Sequence, residues 1–263
     1  MYEGYETIAF SRDERILTVT LNRPEVRNAT NATMHAELKR VFPEIGSDPD
    51  VDVVILTGAG ESFSAGGDIA GMNASLDDHG RWNDSMAEAR AIISGLIDLD
   101  RPVICRINGH AMGLGATLAL FCDITVAVDT AKIADPHVKV GLVAGDGGAL
   151  IWPILIGYAR AKRYLLTGDP ITGADAAAIG LISEAVPRDR LDARVQEIAH
   201  ALAAGATQAI RGTKRATNLM LKQQFEAVMD AHLGLETMSH LTHDHREAVA
   251  AFSARRAPVF TGR

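Results

Sequence analysis

The spacing of apolar residues changes character along this chain of 263 residues. Leu17, Val19 and Leu21 alternate with Thr18 and Thr20, the two-residue period of a half-buried strand. Val53–Leu56 and Val103–Cys105 are continuous apolar runs that predict more deeply buried strands, and Asp123–Val128 predicts another. Helical segments are predicted between them: Thr33–Phe42, then Trp82–Ile97 with Met86, Ala89, Ile93, Leu96 and Ile97 on one face, then Gly115–Phe121. Strands alternating with helices imply βαβ units and an α/β fold. After about residue 187 the strand signal stops. Leu191, Val195, Ile198 and Leu202, then Phe225, Val228, Met229, His232 and Leu233, recur at helical spacing, so the tail reads as helical. No flexible linker, low-complexity tract or internal repeat interrupts the pattern.

Composition narrows the class. With 47% hydrophobic and 22% charged residues the chain is an ordinary globular protein, long enough to bury a sizeable core and without an apolar run that could span a bilayer. The formal net charge of -7 argues against nucleic acid and anionic membranes as general partners, so a phosphate-bearing ligand would need local basic groups. Met1–Glu6 is acidic and polar, unlike a secretory signal, and a cytoplasmic location is expected. Cys105 and Cys122 each sit in an apolar run and read as reduced core residues. The histidines lack a ligand spacing tied to a metal site, and none is expected.

Two glycine-rich turns, Phe63-Ser64-Ala65-Gly66-Gly67-Asp68-Ile69 and Asn108-Gly109-His110-Ala111-Met112-Gly113-Leu114-Gly115, each follow a β-like run, and the second opens into a helical stretch. They can be two tight turns and nothing more. They can also form a two-donor oxyanion hole, because such glycines allow close backbone approach and amides at a helix start are free to hold charge developing on a carbonyl oxygen. The pair resembles the signature of the crotonase superfamily, the enoyl-CoA hydratase/isomerase family. The likeness extends through Leu21-Asn22-Arg23-Pro24, Cys122-Asp123-Ile124, Leu165-Leu166-Thr167-Gly168-Asp169 and Ala178-Ile179-Gly180-Leu181-Ile182, nearly the whole chain. No nucleotide-binding glycine motif and no Gly-x-Ser-x-Gly elbow is present, so Ser64 is not expected to be a nucleophile.

The resemblance implies a spiral core of ββα turns over residues 1–190, followed by a C-terminal helical trimerisation region over 191–263. It also implies an acyl-CoA thioester as substrate, no permanently bound cofactor, and assembly as a homotrimer or a dimer of trimers. By motif position the oxyanion donors would be the N–H groups of Gly67 and Leu114. Family hydratases use two glutamates to hold and activate water; here those positions carry Thr117 and His137. Thr117 cannot act as a base near neutral pH but can orient a water, whereas His137 can exchange a proton there. Asp146, in Gly145-Asp146-Gly147-Gly148, is expected to orient the imidazole, or else to cap the following helix. This His/Asp spacing resembles that of oxocamphor hydrolase, a C–C bond hydrolase of the superfamily.

The resemblance further implies that Ala65 and Ile69 line the adenine and pantetheine path, with Val26, Arg27 and Ala29 on the facing loop. Arg27 is either a phosphate contact or a solvated arginine, and Asp68 either part of the cofactor rim or a helix N-cap. Phe252 and Arg255 or Arg256 resemble the family's ending, which completes a neighbouring subunit's CoA site; a basic helix C-terminus reads equally well. Met72, Trp82 and Met86 are core or line an acyl pocket, His110 is expected to pack under its loop, and His240–His245 to be solvated helix surface. Three functions follow: an enoyl-CoA hydratase/isomerase-type enzyme, a C–C hydrolase of β-diketones or β-ketoacyl thioesters using His137 and Asp146, and a non-catalytic acyl-CoA-binding protein.

Overall fold

A computed structural model describes residues 1–263. The alternating segment at Leu17–Leu21 forms β2 (Ile16–Leu21), which pairs antiparallel with β1 (Ile8–Asp13) and parallel with β3 (Val53–Gly58). The sheet continues in parallel through β4 (Val103–Ile107), β6 (Ile124–Val128) and β9 (Glu184–Val186), in the order β1-β2-β3-β4-β6-β9. Period 2 in β2 and the apolar run of β3 correspond to what burial shows: Thr18 and Thr20 are half-exposed, while every residue of β3 is buried. A smaller sheet of β5 (Ala111–Met112), β7 (Lys132–Ala134) and β8 (Ile171–Thr172) stands beside it.

Strands β4 and β6 each hand over to a short strand and then a helix. Thus β4 leads to β5 and α4 (Leu114–Leu120), and β6 leads to β7, α5 (Gly148–Ile156) and α6 (Tyr158–Thr167). After β3 the chain makes isolated bridges, Ser64 to Ala111 and Gly67 to Thr30, before α2 (Ile69–Ser75) and α3 (His79–Asp98). The repeat is a spiral of ββα turns. Helix α1 (Ala32–Gly46) packs on α3, α7 (Gly173–Ala178) packs on β8 and β9, and α8 (Leu191–Ala203) lies across β2, β3, β4 and β6. Helices α9 (Thr207–His240) and α10 (His243–Ser253) complete the chain.

The 34-residue α9 packs against α3 and α5. Its foot is tied by Lys214, whose ammonium donates to Asp123 Oδ2 at 2.7 Å and to the Arg101 carbonyl at 2.9 Å. Both cysteines are free and buried, and no helix is long and apolar enough to cross a membrane.

Candidate active site

The two glycine turns meet. Met112 N–H donates to the Ser64 carbonyl at 3.0 Å, and Gly113 N–H donates to the Ala134 carbonyl at 2.9 Å, which sews both turns to β7. Gly113 has φ 51° and ψ -126°, and a Cβ there would stand 3.9 Å from Gly66 Cα and 3.8 Å from His137 Cε1. Parallel bridging uses the Gly66 carbonyl and the Asp68 N–H on Thr30, and so passes over the Gly67 N–H. Gly67 and Leu114 N–H donate to nothing in the chain, and both residues line the same cavity of about 640 Å³. Leu114 is the first residue of α4; the special conformation falls on Gly113, so a leucine costs nothing there. Two free donors on one wall can hold negative charge developing on a carbonyl oxygen. Ser64 is buried, with its hydroxyl donating to the Asn28 carbonyl at 2.8 Å, and is no nucleophile.

His137 opens the 3₁₀ turn His137–Val140 after β7 and is buried at the cavity wall. Its Nδ1 is hydrogen-bonded to Asp135 Oδ1, its Nε2 lies 3.6 Å from Asp146 Oδ2, and Glu236 Oε1 of α9 is 4.0 Å from the same nitrogen. Burial opposes the imidazolium, but Asp135, Asp146 and Glu236 together outweigh it and hold the His137 pKa well above its ordinary value. Burial also raises Asp146, against the pull of His137. Burial pushes Glu236 up to about 8, with Asp146 and Asp135 adding to it and His137 opposing. The site therefore sets an imidazole among three buried carboxyls, of which Glu236, raised to about 8, can hold a proton at neutral pH.

Asp135, two residues before the ring, bonds Nδ1, and Asp146, expected to orient the imidazole, stands 3.6 Å from Nε2. Asp146 is not the N-cap of α5, since Gly147 holds that position with no side-chain bond. Thr117 is fully buried and its hydroxyl donates to Asp146 Oδ1 at 3.3 Å, fixing the carboxylate rather than facing the cavity. Glycine at 148 has a steric reason: a Cβ would overlap Asp135 Oδ2. Asp135, His137 and Asp146 offer one ligand atom each within 4.8 Å, although the Asp135 bond already engages Nδ1.

Asp135 and Glu236 were missed. Glu236 did leave a signal: Phe225, Met229, Leu233, Glu236 and His240 follow one buried stripe of α9, and a carboxylate on such a stripe is costly unless it works or is paired. Met72, Trp82 and Met86 all line the cavity. The histidines of the tail correct the sequence expectation, because His240 and His245 are buried. His240 stacks on Trp82 with centroids 3.8 Å apart, and His245 Nδ1 bonds the Val140 carbonyl at 2.7 Å. His110 does not pack under its loop either: it is exposed, and its Nδ1 accepts from Lys132 N–H at 3.0 Å.

On the rim, Asp68 caps α2 by accepting from Ala70 N–H at 2.9 Å and pairs with Arg23 at 3.1 Å. Ala65 N–H donates to the Arg27 carbonyl at 2.9 Å, which sets Val26, Arg27 and Ala29 beside the first glycine turn. Ala29 is buried, Val26 and Arg27 are exposed, and the Arg27 guanidinium has no partner in the chain. Phe252, Arg255 and Arg256 border a groove with Ile69 and Ala70 of the same chain. Arg256 is engaged by Glu247 at 2.5 and 2.7 Å, and holds that carboxyl down to about 2.

With this geometry in view, the family relation is informative. Residues 11–263 match the family model described as enoyl-CoA hydratase/isomerase. A protein named probable enoyl-CoA hydratase in Mycobacterium tuberculosis is 35% identical over 259 residues, 98% of this chain and 99% of that one. The 1,2-epoxyphenylacetyl-CoA isomerase of Escherichia coli is 34% identical over 255 residues, 95% and 97% of the two chains. Among solved structures, an enoyl-CoA hydratase/isomerase from Mycobacterium paratuberculosis superimposes with a TM-score of 0.91 at 35% identity, covering 95% of this chain and 99% of that one. The chain has the crotonase fold and belongs to the enoyl-CoA hydratase/isomerase family.

Proposed function

We propose that the protein is an acyl-CoA thioester-processing enzyme of the hydratase type that works through a His137-centred acid/base cluster in place of the family's glutamate pair. The single observation behind this reading is the placement of buried His137, flanked by Asp146 and Glu236, in the same cavity as the unpaired N–H groups of Gly67 and Leu114. In the forward reaction a water oxygen bonds to the β-carbon of a conjugated thioester while its proton passes to the cluster. The electron pair of the broken C=C π bond moves onto the thioester oxygen, held by Gly67 and Leu114, and the cluster then returns a proton to the α-carbon. Asp135 orients the ring, and Thr117 steadies Asp146.

CoA enters as part of the substrate. Ala65, Ile69 and the loop carrying Val26, Arg27 and Ala29 border its path, Asp68 shapes the rim by fixing α2, and the free Arg27 guanidinium is placed to meet a phosphate. Phe252 offers a face for adenine, with Arg256 beside it. Apolar side chains exposed on α9, Leu219, Met220, Leu235 and Met238, support self-association through the 191–263 region, as a trimer or a dimer of trimers. Two reduced buried thiols fit a cytoplasmic setting.

The test follows the ultraviolet absorbance of a short conjugated enoyl-CoA, with products identified by mass. Wild type should consume the conjugated signal with a gain of one water, and His137→Ala should lower the rate by about a hundredfold or more. Equal rates in both would refute the role of His137.

A second reading is hydrolytic C–C cleavage of a β-diketone or β-ketoacyl thioester. It is favoured by the Asp135–His137 bond, which fixes the ring with Nε2 toward Asp146, so that this pair can relay the proton of a water attacking a carbonyl. Cleavage of such a substrate, with two acyl products and no hydration of enoyl-CoA, would select it.

A further inference from the structure

Helix α3 turns two parallel stripes toward the cavity. Trp82, Met86 and Ala89 recur at i, i+4 and i+7, and so do Arg81, Ser85 and Glu88 one residue earlier; all six line it. A helix at a protein surface ordinarily buries one stripe and gives the other to water. Here a flat apolar wall and a polar wall border the same space. The apolar wall is held in place: Trp82 stacks on His240 at 3.8 Å and 16°, and its indole N–H donates to Thr237 Oγ1 at 3.0 Å.

The polar wall gains a third element from α1. His35 lines the cavity with its Nδ1 3.6 Å from Glu88 Oε2, and that buried nitrogen has no hydrogen-bond partner in the chain. Charge is unevenly divided there. Asp78, Asp84 and Glu88 all line the cavity, where Arg81 is the only lysine or arginine, while Lys39, outside the lining, stands 3.8 Å from Glu88 Oε1 and leaves Oε2 on the His35 side. Such a wall repels a carboxylate and rewards a hydrogen-bond donor.

We infer that this half of the cavity is a subsite for a hydroxyl-bearing acyl group. Its hydrocarbon body lies on Trp82 and Met86, and its hydroxyl donates to Glu88 and meets Ser85 and His35. The inference rests on the acyl-CoA reading above and adds the class of acyl group to it.

The experiment compares kcat/KM for medium-chain 2-enoyl-CoA thioesters that differ only in a terminal methyl, hydroxyl or carboxylate, with binding of each measured by calorimetry. The hydroxyl thioester is expected to lead the methyl one by about tenfold, with the carboxylate last. Glu88→Ala should bring the hydroxyl-to-methyl ratio to about one, Glu88→Gln should retain part of it, and Ser85→Ala should lower it independently. Turnover of the methyl thioester with no hydroxyl preference, or a ratio unmoved by Glu88→Ala, overturns the subsite and leaves the acyl-CoA reading standing. Neither binding nor turnover of any of the three overturns the acyl-CoA reading, and the subsite with it.

Discussion

A carboxylate on each side of one imidazole does two different jobs. Asp135 is nearly inaccessible and bonds the ring only at Nδ1, with the His137 backbone N–H also donating to it at 3.4 Å, so it sets which nitrogen carries the proton; Asp146 and Glu236 face the other nitrogen, where a proton can leave. Asp135→Asn preserves volume but can offer Nδ1 an N–H and select the wrong tautomer. It should lower kcat by about a hundredfold or more while KM stays close to wild type, because Asp135 does not line the cavity. Glu236 predicts a pH effect. With its pKa pushed up to about 8, the carboxyl is neutral at pH 7 and ionises above that, so wild-type kcat/KM should fall on an alkaline limb near pH 8. Glu236→Gln should lack that limb, and a profile with the limb intact would remove Glu236 from the proton path. Stability follows the same sign. A raised carboxyl pKa means the folded state binds more protons than the unfolded one, so its contribution is full below about 4.5 and is lost as pH rises toward 8. Urea midpoints of Glu236→Gln should decline less than wild type across that window.

Elements bring these residues together from four places: the glycine turn before α2, the turn into α4, the β7–α5 loop and the C-terminal end of the tail helix α9. Three of the four could be read along the sequence because glycine spacing and the Pro136-His137 pair sit inside local motifs. The fourth could not, since what places Glu236 at His137 is the docking of α9 on α3 and α5, a contact between segments about a hundred residues apart. The same docking buries the histidines that read as surface. Their polar, His-rich pattern gave no hint that Trp82 of α3 would cover His240, or that α10 would fold back on the turn after His137. Burial, then the charges of His245, His79 and Arg246, bring His240 down to about 4, so it is neutral at pH 7 with neither ring nitrogen hydrogen-bonded. A depressed histidine pKa contributes stability that is present above about 6.5 and lost as pH falls toward 4. His240→Phe, which keeps a ring on Trp82, should therefore lose less stability than wild type between pH 6.5 and 4, as read from urea midpoints at each pH. An equal loss in both would show that this junction of α3, α9 and α10 is not where acid acts.

Across the whole molecule, the tail lines the candidate site as well as offering a surface for assembly. Residues 191–263 supply Glu236 to the site, His240 behind the Trp82 wall, and Phe252 and Arg256 to the groove beside Ile69. Binding without catalysis fits this arrangement poorly, because three buried carboxyls around a buried histidine are costly to maintain unless the cluster does chemistry. Hydration and C–C hydrolysis share one requirement, an enolate held by Gly67 and Leu114 with proton exchange through His137. The most direct measurement is therefore exchange of the α-protons of a saturated acyl-CoA in D2O, followed by NMR. The account predicts exchange with wild type and a loss of about a hundredfold or more in His137→Ala. Exchange that is absent in wild type, or undiminished in His137→Ala, would contradict it.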